Sequence, residues 1–419
     1  MAKATASDRT GARLPVDGEL PFAARAASIP GSVIDASTTL LQDQRHDVVR
    51  FAMGSPAPES IPTAVFDHIA RAALGAGASD AYDYGPTEGE AGLRAALLRF
   101  LEEHGAPTSP ERLLITAGGM QGLDLTCKLF VERGDLVAVE SPTYTNGTAA
   151  IASYEGDLLE VPVDDEGMVV DALPGLVEAA GRAPKAIYVI PNSQNPSGTT
   201  LSLDRRRLLL ELAAGWGSVI LEDDPYGLLR FEGEALPGLA ELSGHDPRVV
   251  GVYTFSKIVA PGLRVGWVDA DAAIVARMTD AKQGMDTCTN VPAQRILELF
   301  LERGDMDEHL AALRADYRER KHAMQAALRE HFGSAVGFTD PGGGFFLWLE
   351  LPERVDTREL FEVALREGVA YIPGPAFSPS GRFANQLRLC FASTGPERIR
   401  EGVRRLRRAV DELYGSTWA

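Results

Sequence analysis

From residue 113 onward, short apolar runs alternate with segments of helical periodicity, and this alternation most strongly constrains the fold. The apolar runs cover residues 113–116, 136–139, 186–190, 219–221, 249–255 and 265–268. Strands that are apolar along their whole length and separated by helices are typical of a mostly parallel sheet covered on both faces. The sequence therefore predicts an α/β fold in which functional side chains gather at the carboxyl ends of the strands.

A change of pattern near residue 300 indicates a second domain. Residues 291–332 read as a long helical stretch, and shorter strand and helix patterns then follow over residues 345–391 before a final helix. A chain of 419 residues is also too long for one simple core. We predict an arm with a short helix or two at residues 1–50, a large domain at residues 51–300 and a smaller α+β domain at residues 301–419.

The charge balance and the cysteines limit the partners and the compartment. Lysine and arginine number 41 against 59 aspartates and glutamates, a net charge of −18, which disfavours nucleic acid and anionic membranes. No run approaches the roughly 18 apolar residues of a transmembrane helix, and the polar N-terminus lacks the apolar core of a signal peptide. Three widely spaced cysteines, Cys127, Cys288 and Cys390, fit a reduced, cytoplasmic protein without disulfides or a thiolate metal site.

Lys257 is the first candidate for chemistry. It is one of only six lysines in the chain and directly follows the apolar run and Ser256. A desolvated lysine can lose its proton and attack an aldehyde, which an arginine cannot do. Arg264 follows seven residues later, beyond a Pro-Gly turn. The pair suggests a lysine imine held beside an anion, as pyridoxal 5′-phosphate would require.

Two turns at strand ends could bind a ligand. Gly118, Gly119 and Met120 stand where a strand gives way to a helix, and a helix N-terminus offers free N–H groups and a favourable dipole to a phosphate. A Gly-Gly turn is more often only structural. Asn195 lies in the turn at residues 191–198, where its side chain either bonds to nearby backbone or donates to a ligand.

Acidic and aromatic side chains follow two further strands. Residues 222–226 read Glu-Asp-Asp-Pro-Tyr, which suits a solvated loop, a metal site or a pyridine ring. No histidine stands nearby, so we expect no metal. A carboxylate beside a pyridine nitrogen keeps it protonated and makes the ring a strong electron sink, and the Tyr226 hydroxyl could reach the ring oxygen. Tyr144, just past another strand, either belongs to the core or stacks on a flat cofactor.

Arg388 stands inside the apolar run 386–391. A buried arginine needs an anion, and a bidentate carboxylate is the simplest partner. The partner of Arg388 is then either the carboxylate of a substrate or an acidic side chain in a structural ion pair.

Taken in order, these motifs resemble those of fold-type-I pyridoxal-phosphate aminotransferases of class I/II, and in particular the branch of the α-aminoadipate and kynurenine aminotransferases. The resemblance runs from about residue 45 to the C-terminus and rests on residues 84–89, 191–198, 223–226, 254–264, 341–345 and 388. It implies a large cofactor-binding domain with a mostly parallel, seven-stranded sheet, and a homodimer with shared active sites.

The same resemblance implies a role for each candidate residue. Lys257 would be the catalytic lysine, assisted by Asp223 and Tyr226. The residues that would hold the cofactor phosphate are Gly118, Gly119, Met120, Thr254, Ser256, Arg264 and, reaching across to the second subunit's site, Tyr84. Those that would hold the ring are Tyr144 by stacking, Asn195 and Tyr226 at the ring oxygen, and Asp223 at the ring nitrogen. Those that would contact the substrate are Gly54, Ser55, Asn195 and Arg388.

Two features depart from the family or lack a role. Many relatives carry Ser or Thr in the turn that reads Gly118-Gly119-Met120 here, so backbone N–H groups would do more of the phosphate binding. Asp224 is a second acid without an assigned role.

The resemblance implies the transfer of an amino group between an α-amino acid and a 2-oxo acid through a Schiff base on Lys257. Enzymes with the same site also catalyse elimination, replacement, decarboxylation or C–C bond formation, and these reactions are the alternative. Related transcription regulators carry a basic DNA-binding domain ahead of this fold. Here some 50 residues precede the fold and the chain is acidic, and both features disfavour a role as a regulator. No second arginine stands out as a reader of a second carboxylate, which disfavours a preference for aspartate.

Overall fold

The computed structural model describes residues 20–23, 25, 26, 29, 31, 46–75 and 77–416, so most of the predicted arm lies outside the described residues. The helices are α1 (Thr63–Leu74), α2 (Ala91–Glu103), α3 (Gly119–Phe130), α4 (Thr145–Ser153), α5 (Leu173–Ala180), α6 (Leu203–Trp216), α7 (Leu239–Leu242), α8 (Ala272–Gln283), α9 (Val291–Glu302), α10 (Asp305–Phe332), α11 (Thr357–Arg366) and α12 (Pro396–Tyr414). The strands are β1 (Val49–Arg50), β2 (Leu113–Thr116), β3 (Leu136–Ser141), β4 (Asp157–Asp164), β5 (Gly167–Met168), β6 (Ala186–Val189), β7 (Val219–Asp223), β8 (Val249–Thr254), β9 (Gly266–Asp269), β10 (Gly337–Phe338), β11 (Phe346–Glu350), β12 (Val369–Ala370), β13 (Ile372–Pro373) and β14 (Gln386–Cys390).

The large sheet has eight strands in the order β2-β9-β8-β7-β6-β3-β4-β5. This is one strand more than the seven that the resemblance implied, because the two-residue β5 pairs with β4 at the edge. Neighbours from β8 through β4 are parallel, which confirms the predicted α/β fold with a mostly parallel sheet. β9 is antiparallel to both β8 and β2, although the sequence pattern only continued the series of strands. A parallel return needs a crossover of about a dozen or more residues, usually a helix, and the short link at residues 255–265 contains no α-helix.

The sequence pattern did not indicate β4 and β5. Most side chains of β4 are half-buried or exposed, and the strand contains Pro162. Proline cannot donate to a ladder and is normally confined to sheet edges, so this strand lacks the apolar signature of its neighbours.

Helices cover both faces of the large sheet, because successive strand residues point to opposite sides. On one face, Leu123, Ile151 and Met278 from α3, α4 and α8 pack on the sheet. On the other face, Leu209 and Leu239 from α6 and α7 do so. Each fully buried leucine stabilises the fold by about 1.5–3 kcal/mol relative to an exposed one, so both layers hold the strand ends in place.

A second, four-stranded antiparallel sheet has the order β10-β11-β14-β13. The predicted long helical stretch before it is two helices, because the chain breaks at Gly304, which has a φ of +76°. β1 pairs in parallel with β12, so residues 49–50 join the C-terminal part of the fold. The boundaries at residues 50 and 300 stay predictions. No helix among the described residues has the length and apolar character needed to cross a bilayer.

Candidate active site

A cavity of about 370 Å³ lies at the carboxyl ends of β3, β6, β7 and β8. It brings together most of the residues singled out from the sequence. Those that line it are Gly54, Ser55, Gly119, Met120, Tyr144, Asn195, Asp223, Tyr226, Thr254, Ser256, Lys257, Arg264 and Arg388. Gly118 and Tyr84 do not line the cavity.

Lys257 lies half-buried in the turn that follows β8, and its Nζ donates to the carbonyl oxygen of Gly54 at 2.7 Å. Burial, together with the positive charges of Arg388 and Arg264, lowers the pKa of this amine to about 8. A lysine with such a pKa is partly neutral near neutral pH, which is the state that attacks a carbonyl carbon.

An anion-binding corner forms where the N-terminus of α3 meets the turn after β8. Arg264 donates to the Ser256 hydroxyl at 3.2 Å and to the Ala117 carbonyl at 3.3 Å. The hydroxyl of Thr254 accepts from the Ser256 N–H at 3.1 Å. The first N–H groups of a helix have no partner within the helix and favour an anion, so this corner can hold a phosphate.

Gly118 lies directly behind this corner. Its φ of +85° and ψ of 170° suit almost only glycine. A Cβ at this position would also stand 2.5 Å from Arg264 Nη2. Glycine at position 118 therefore permits both the turn and the placement of the arginine.

Asp223 is a buried carboxylate at the end of β7 that lines the cavity. Burial and the neighbouring Asp224 raise its pKa to about 7, although a hydrogen bond from Tyr188 and the charge of Lys257 act in the opposite direction. The Tyr188 hydroxyl donates to Asp223 Oδ2 at 2.8 Å. With a pKa of about 7, Asp223 is only partly ionised near neutral pH, and a cationic ring nitrogen placed beside it would favour the charged carboxylate.

Asp224 has a structural place in the turn that presents Tyr226. Its carboxylate accepts from Asn192 Nδ2 at 2.8 Å and from the Gly227 N–H at 2.7 Å. The fully buried Arg206 in turn donates to Asn192 Oδ1 at 2.7 Å. The sequence pattern did not single out Arg206, because an arginine on a helix is usually solvated.

Two aromatic residues border the cavity. Tyr226 is buried, and its ring packs against Phe345 and Phe346 with centroid distances of 5.3 Å and 5.9 Å. Burial raises its pKa well above the usual value, so it stays a neutral hydroxyl. Tyr144 is half-buried, and its hydroxyl lies 3.8 Å from Met120 Sδ.

Arg388 and Asn195 form the opposite wall. Arg388 is buried, donates to Asn195 Oδ1 at 2.9 Å and to the Ala52 carbonyl at 2.8 Å, and lies 4.1 Å from the centre of the Phe346 ring. Its Nε is buried without a hydrogen-bond partner. Since a guanidinium only donates, the oxygen of the Asn195 amide must face it, which leaves the NH₂ group for a ligand.

The segment at residues 51–54 connects these groups. The Phe51 carbonyl accepts from the Cys390 N–H at 2.9 Å, and the carbonyls of Ala52 and Gly54 accept from Arg388 and Lys257. A Cβ at position 54 would stand 3.4 Å from Phe346 Cζ and 3.9 Å from Arg388 Nη2, which is ordinary van der Waals contact. The backbone of this segment, and not the absence of a side chain at Gly54, therefore holds Arg388 and Lys257.

Tyr84 lies outside the cavity of its own chain, with its side chain 83% exposed. Its role toward a second subunit's site stays a prediction.

Several residues at the site could not be singled out from the sequence pattern. Tyr188 sits within an apolar strand, where a tyrosine reads as core. Phe346 and Phe377 flank the guanidinium of Arg388, the latter at 5.1 Å, and they also look like core residues in the sequence. Met53 and Asn146 also line the cavity. Only the positions of Met53 and Asn146 beside named motifs could have suggested them.

The donor set fits pyridoxal phosphate. The cavity offers an amine with a lowered pKa, an anion-binding corner at a helix N-terminus, a buried carboxylate and a second arginine with an unpartnered Nε. No group of three or more His, Cys, Asp or Glu side chains in the described part of the chain is arranged to hold a metal ion. This combination at the carboxyl ends of a mostly parallel sheet defines a fold-type-I pyridoxal-phosphate enzyme.

Comparison with known proteins identifies the family. The family described as aminotransferase class I and II matches residues 46–406. Aromatic-amino-acid aminotransferase 1 of Thermococcus litoralis is 38% identical over 401 residues, 95% of either chain. The 2-aminoadipate transaminase of Thermus thermophilus is 38% identical over 385 residues, 91% of this chain and 95% of that protein. The kynurenine aminotransferase of Pyrococcus horikoshii, solved in complex with PMP, has a TM-score of 0.88 at 35% identity and covers 94% of this chain and 97% of its own.

The chain belongs to the class I and II aminotransferases. It is a pyridoxal-phosphate-dependent enzyme that transfers amino groups, as the sequence predicted.

Proposed function

We propose that this enzyme transfers the amino group of an uncharged α-amino acid to a 2-oxo acid, with Lys257 as the catalytic lysine. The observation that carries the proposal is the convergence of Lys257, Asp223 and Arg388 on one cavity beside the anion-binding corner. When bound, pyridoxal phosphate supplies the aldehyde carbon that receives the amino group and a ring that withdraws electrons from the substrate Cα.

The protein supplies position, charge and a proton carrier. Arg264, Ser256 and the N-terminus of α3 would hold the phosphate, and the Asp223 carboxylate would pair with the ring nitrogen. The NH₂ group of Asn195 and the hydroxyl of Tyr226 would donate to the ring oxygen. Lys257 would anchor the cofactor and, after the substrate amine has displaced it, would remove the proton from the substrate Cα as a general base. Its pKa of about 8 is suited to both giving and taking a proton near neutral pH.

Arg388 would bind the substrate α-carboxylate. Burial lowers its pKa to about 10, so the guanidinium is still charged at neutral pH. Two of its nitrogens are held by Asn195 and Ala52, which fixes the direction of the fork. A fixed fork matches a carboxylate better than a mobile ammonium does.

An uncharged side chain is proposed for the amino donor. The cations that line the described cavity are Lys257, Arg264 and Arg388, and each already has a role. Met53 and Phe346 give the remaining wall an apolar character. The Thermococcus litoralis relative is named for aromatic amino acids, which agrees with such a preference. We expect kcat/KM for phenylalanine to exceed that for aspartate by about tenfold or more, since one buried unpaired charge costs at least about 1.4 kcal/mol.

Spectroscopy and product analysis test the reaction. The purified protein should show the visible absorbance of lysine-bound cofactor, and Lys257→Ala should abolish both that band and activity. An amino acid should convert the bound cofactor to its amine form, and a 2-oxo acid should restore the aldehyde. Formation of a 2-oxo acid without the amine form would instead support elimination. Retention of full activity in Lys257→Ala would refute the proposed role of the lysine.

A homodimer with shared sites and a cytoplasmic location complete the proposal. The exposure of Tyr84 and Tyr82, at 83% and 66%, supports a partner surface near residues 82–84. Light scattering should give twice the chain mass of 44.9 kDa.

The three free cysteines, Cys127, Cys288 and Cys390, support a reducing compartment.

A further inference from the structure

Tyr188 is a buried tyrosine that the catalytic roles above do not use. It lies on β6 beside β7, is 0% exposed and donates to Asp223 Oδ2 at 2.8 Å. The tyrosine does not line the cavity, whereas Asp223 does. The hydrogen bond to Asp223 is therefore the direct polar contact that connects Tyr188 to the cavity lining.

The surrounding structure leaves a fitted space for this hydroxyl. Gly147 on α4 faces it, and a Cβ at position 147 would stand 2.4 Å from Tyr188 Oη and 2.5 Å from Cζ. No other residue type fits at position 147 without moving the tyrosine away. Gly147 on α4 therefore leaves the space in which the Tyr188 hydroxyl can lie and donate to Asp223.

We propose that Tyr188 is a positioning residue for the cofactor, which holds one oxygen of the Asp223 carboxylate and leaves the other to the ring nitrogen of pyridoxal phosphate. This inference rests on the proposed role of Asp223 and deepens it. A single hydrogen bond at a fixed oxygen restricts rotation of the carboxylate about its last bond. The orientation of the charge is then set before the cofactor arrives, which lowers the cost of ordering on binding.

Electrostatics gives the same hydrogen bond a second effect. Burial raises the pKa of Asp223 to about 7, and Asp224 acts in the same direction, whereas the Tyr188 hydrogen bond and the charge of Lys257 lower it. The buried Glu140, whose own pKa is raised to about 8 by burial, also lies close to this group. Loss of the hydroxyl would favour the neutral carboxyl, which holds a protonated ring nitrogen less well.

Tyr188→Phe removes the oxygen and little else. We expect this change to raise the Kd of the apoenzyme for pyridoxal phosphate by about tenfold or more, since hydrogen bonds to charged groups are among the stronger ones. In the holoenzyme loaded with cofactor labelled with ¹⁵N in the ring, we expect the ring-nitrogen resonance to shift toward the unprotonated form. A purely structural role of Tyr188 would not move that resonance.

Tyr371→Phe is the matched control. Tyr371 is also 0% exposed and donates to a backbone carbonyl, that of Thr357 at 2.7 Å, but it lies away from the cavity. Its loss should leave both the Kd and the ¹⁵N resonance unchanged. Gly147→Ala, which should displace the tyrosine, supplies a second route to the same two effects if Tyr188→Phe does not fold.

Wild-type affinity and an unchanged ¹⁵N resonance in Tyr188→Phe would overturn the proposal, and so would equal losses in Tyr371→Phe. A wild-type protein that does not bind pyridoxal phosphate would instead refute the proposed function itself. The two failures are therefore distinguishable.

Discussion

At the scale of single residues, Lys257 gives the protein a defined pH dependence. Burial and the charges of Arg388 and Arg264 lower its pKa to about 8, outweighing Cys390 and Asp223, which act in the opposite direction. The neutral amine dominates above this pH and the ammonium below it. The rate of covalent attachment of pyridoxal phosphate to the apoenzyme should therefore rise about tenfold between pH 7 and pH 9 and then level off. Stopped-flow absorbance measures this rate.

A rise of roughly 100-fold between pH 7 and pH 9 that continues beyond pH 9 would show an ordinary lysine instead. Lys257→Arg serves as the baseline, because a guanidinium cannot form the bond at any of these pH values.

Arg388→Lys tests the geometry of the clamp at constant charge. A lysine cannot donate to Asn195 and Ala52 and also offer a fork to the substrate, so kcat/KM should fall about 100-fold, equivalent to roughly 2.7 kcal/mol. The Kd for the cofactor should change little. Arg366→Lys is the control, since Arg366 pairs with Glu412 on the surface and is 62% exposed. A fall below about threefold would assign Arg388 a structural role.

At the scale of elements, the turn between β2 and α3 decides whether the anion-binding corner forms. Gly118→Ala should raise the Kd for pyridoxal phosphate, because the new Cβ would collide with Arg264. The positive φ should also cost about 1–3 kcal/mol of unfolding free energy. Isothermal titration of the apoenzyme and urea denaturation measure the two effects.

Gly415→Ala is the control that separates the cost of a positive φ from the collision of a Cβ with Arg264. Gly415 has nearly the same backbone, with φ of +78° and ψ of 164°, but a Cβ at this position would have no atom within 4 Å. Unchanged cofactor affinity in Gly118→Ala would mean that Arg264 does not bind the phosphate.

Elements also show how far the sequence could predict this structure. Unbroken apolar runs such as those in β6 and β7 gave a clear pattern, and the polar residues at the ends of these runs predicted most of the cavity lining. The sequence pattern did not predict β4, because this half-exposed strand with Pro162 has neither periodicity nor an apolar run. The direction of β9 depends on the length of a link rather than on residue types. Tyr188 and Phe377 could not be named, because what distinguishes them from other core residues is a contact with a distant residue.

At the scale of the whole molecule, subunit mixing tests whether active sites are shared. If Tyr84 serves the partner's site, a heterodimer of one Lys257→Ala chain and one Tyr84→Ala chain contains one site with both defects and one intact site. Mixing the two variants after partial unfolding should therefore restore activity above that of either variant alone.

If activity is not restored although light scattering shows dimers, Tyr84 contributes to the active site of its own chain or to neither active site. Lys257→Ala mixed with wild-type chain is the reference for one intact site per dimer.

Residues 51–54 constrain the site through their backbone and not through their side chains. Their backbone carbonyls, at positions 51, 52 and 54, receive hydrogen bonds from the small sheet, from Arg388 and from Lys257. Carbonyls are common to every residue type, so the number of residues matters here more than their identity. An insertion or deletion of one residue between Phe51 and Gly54 would force either the arginine or the lysine to lose its acceptor. We therefore expect this segment to accept substitutions at Met53 more readily than any change of length.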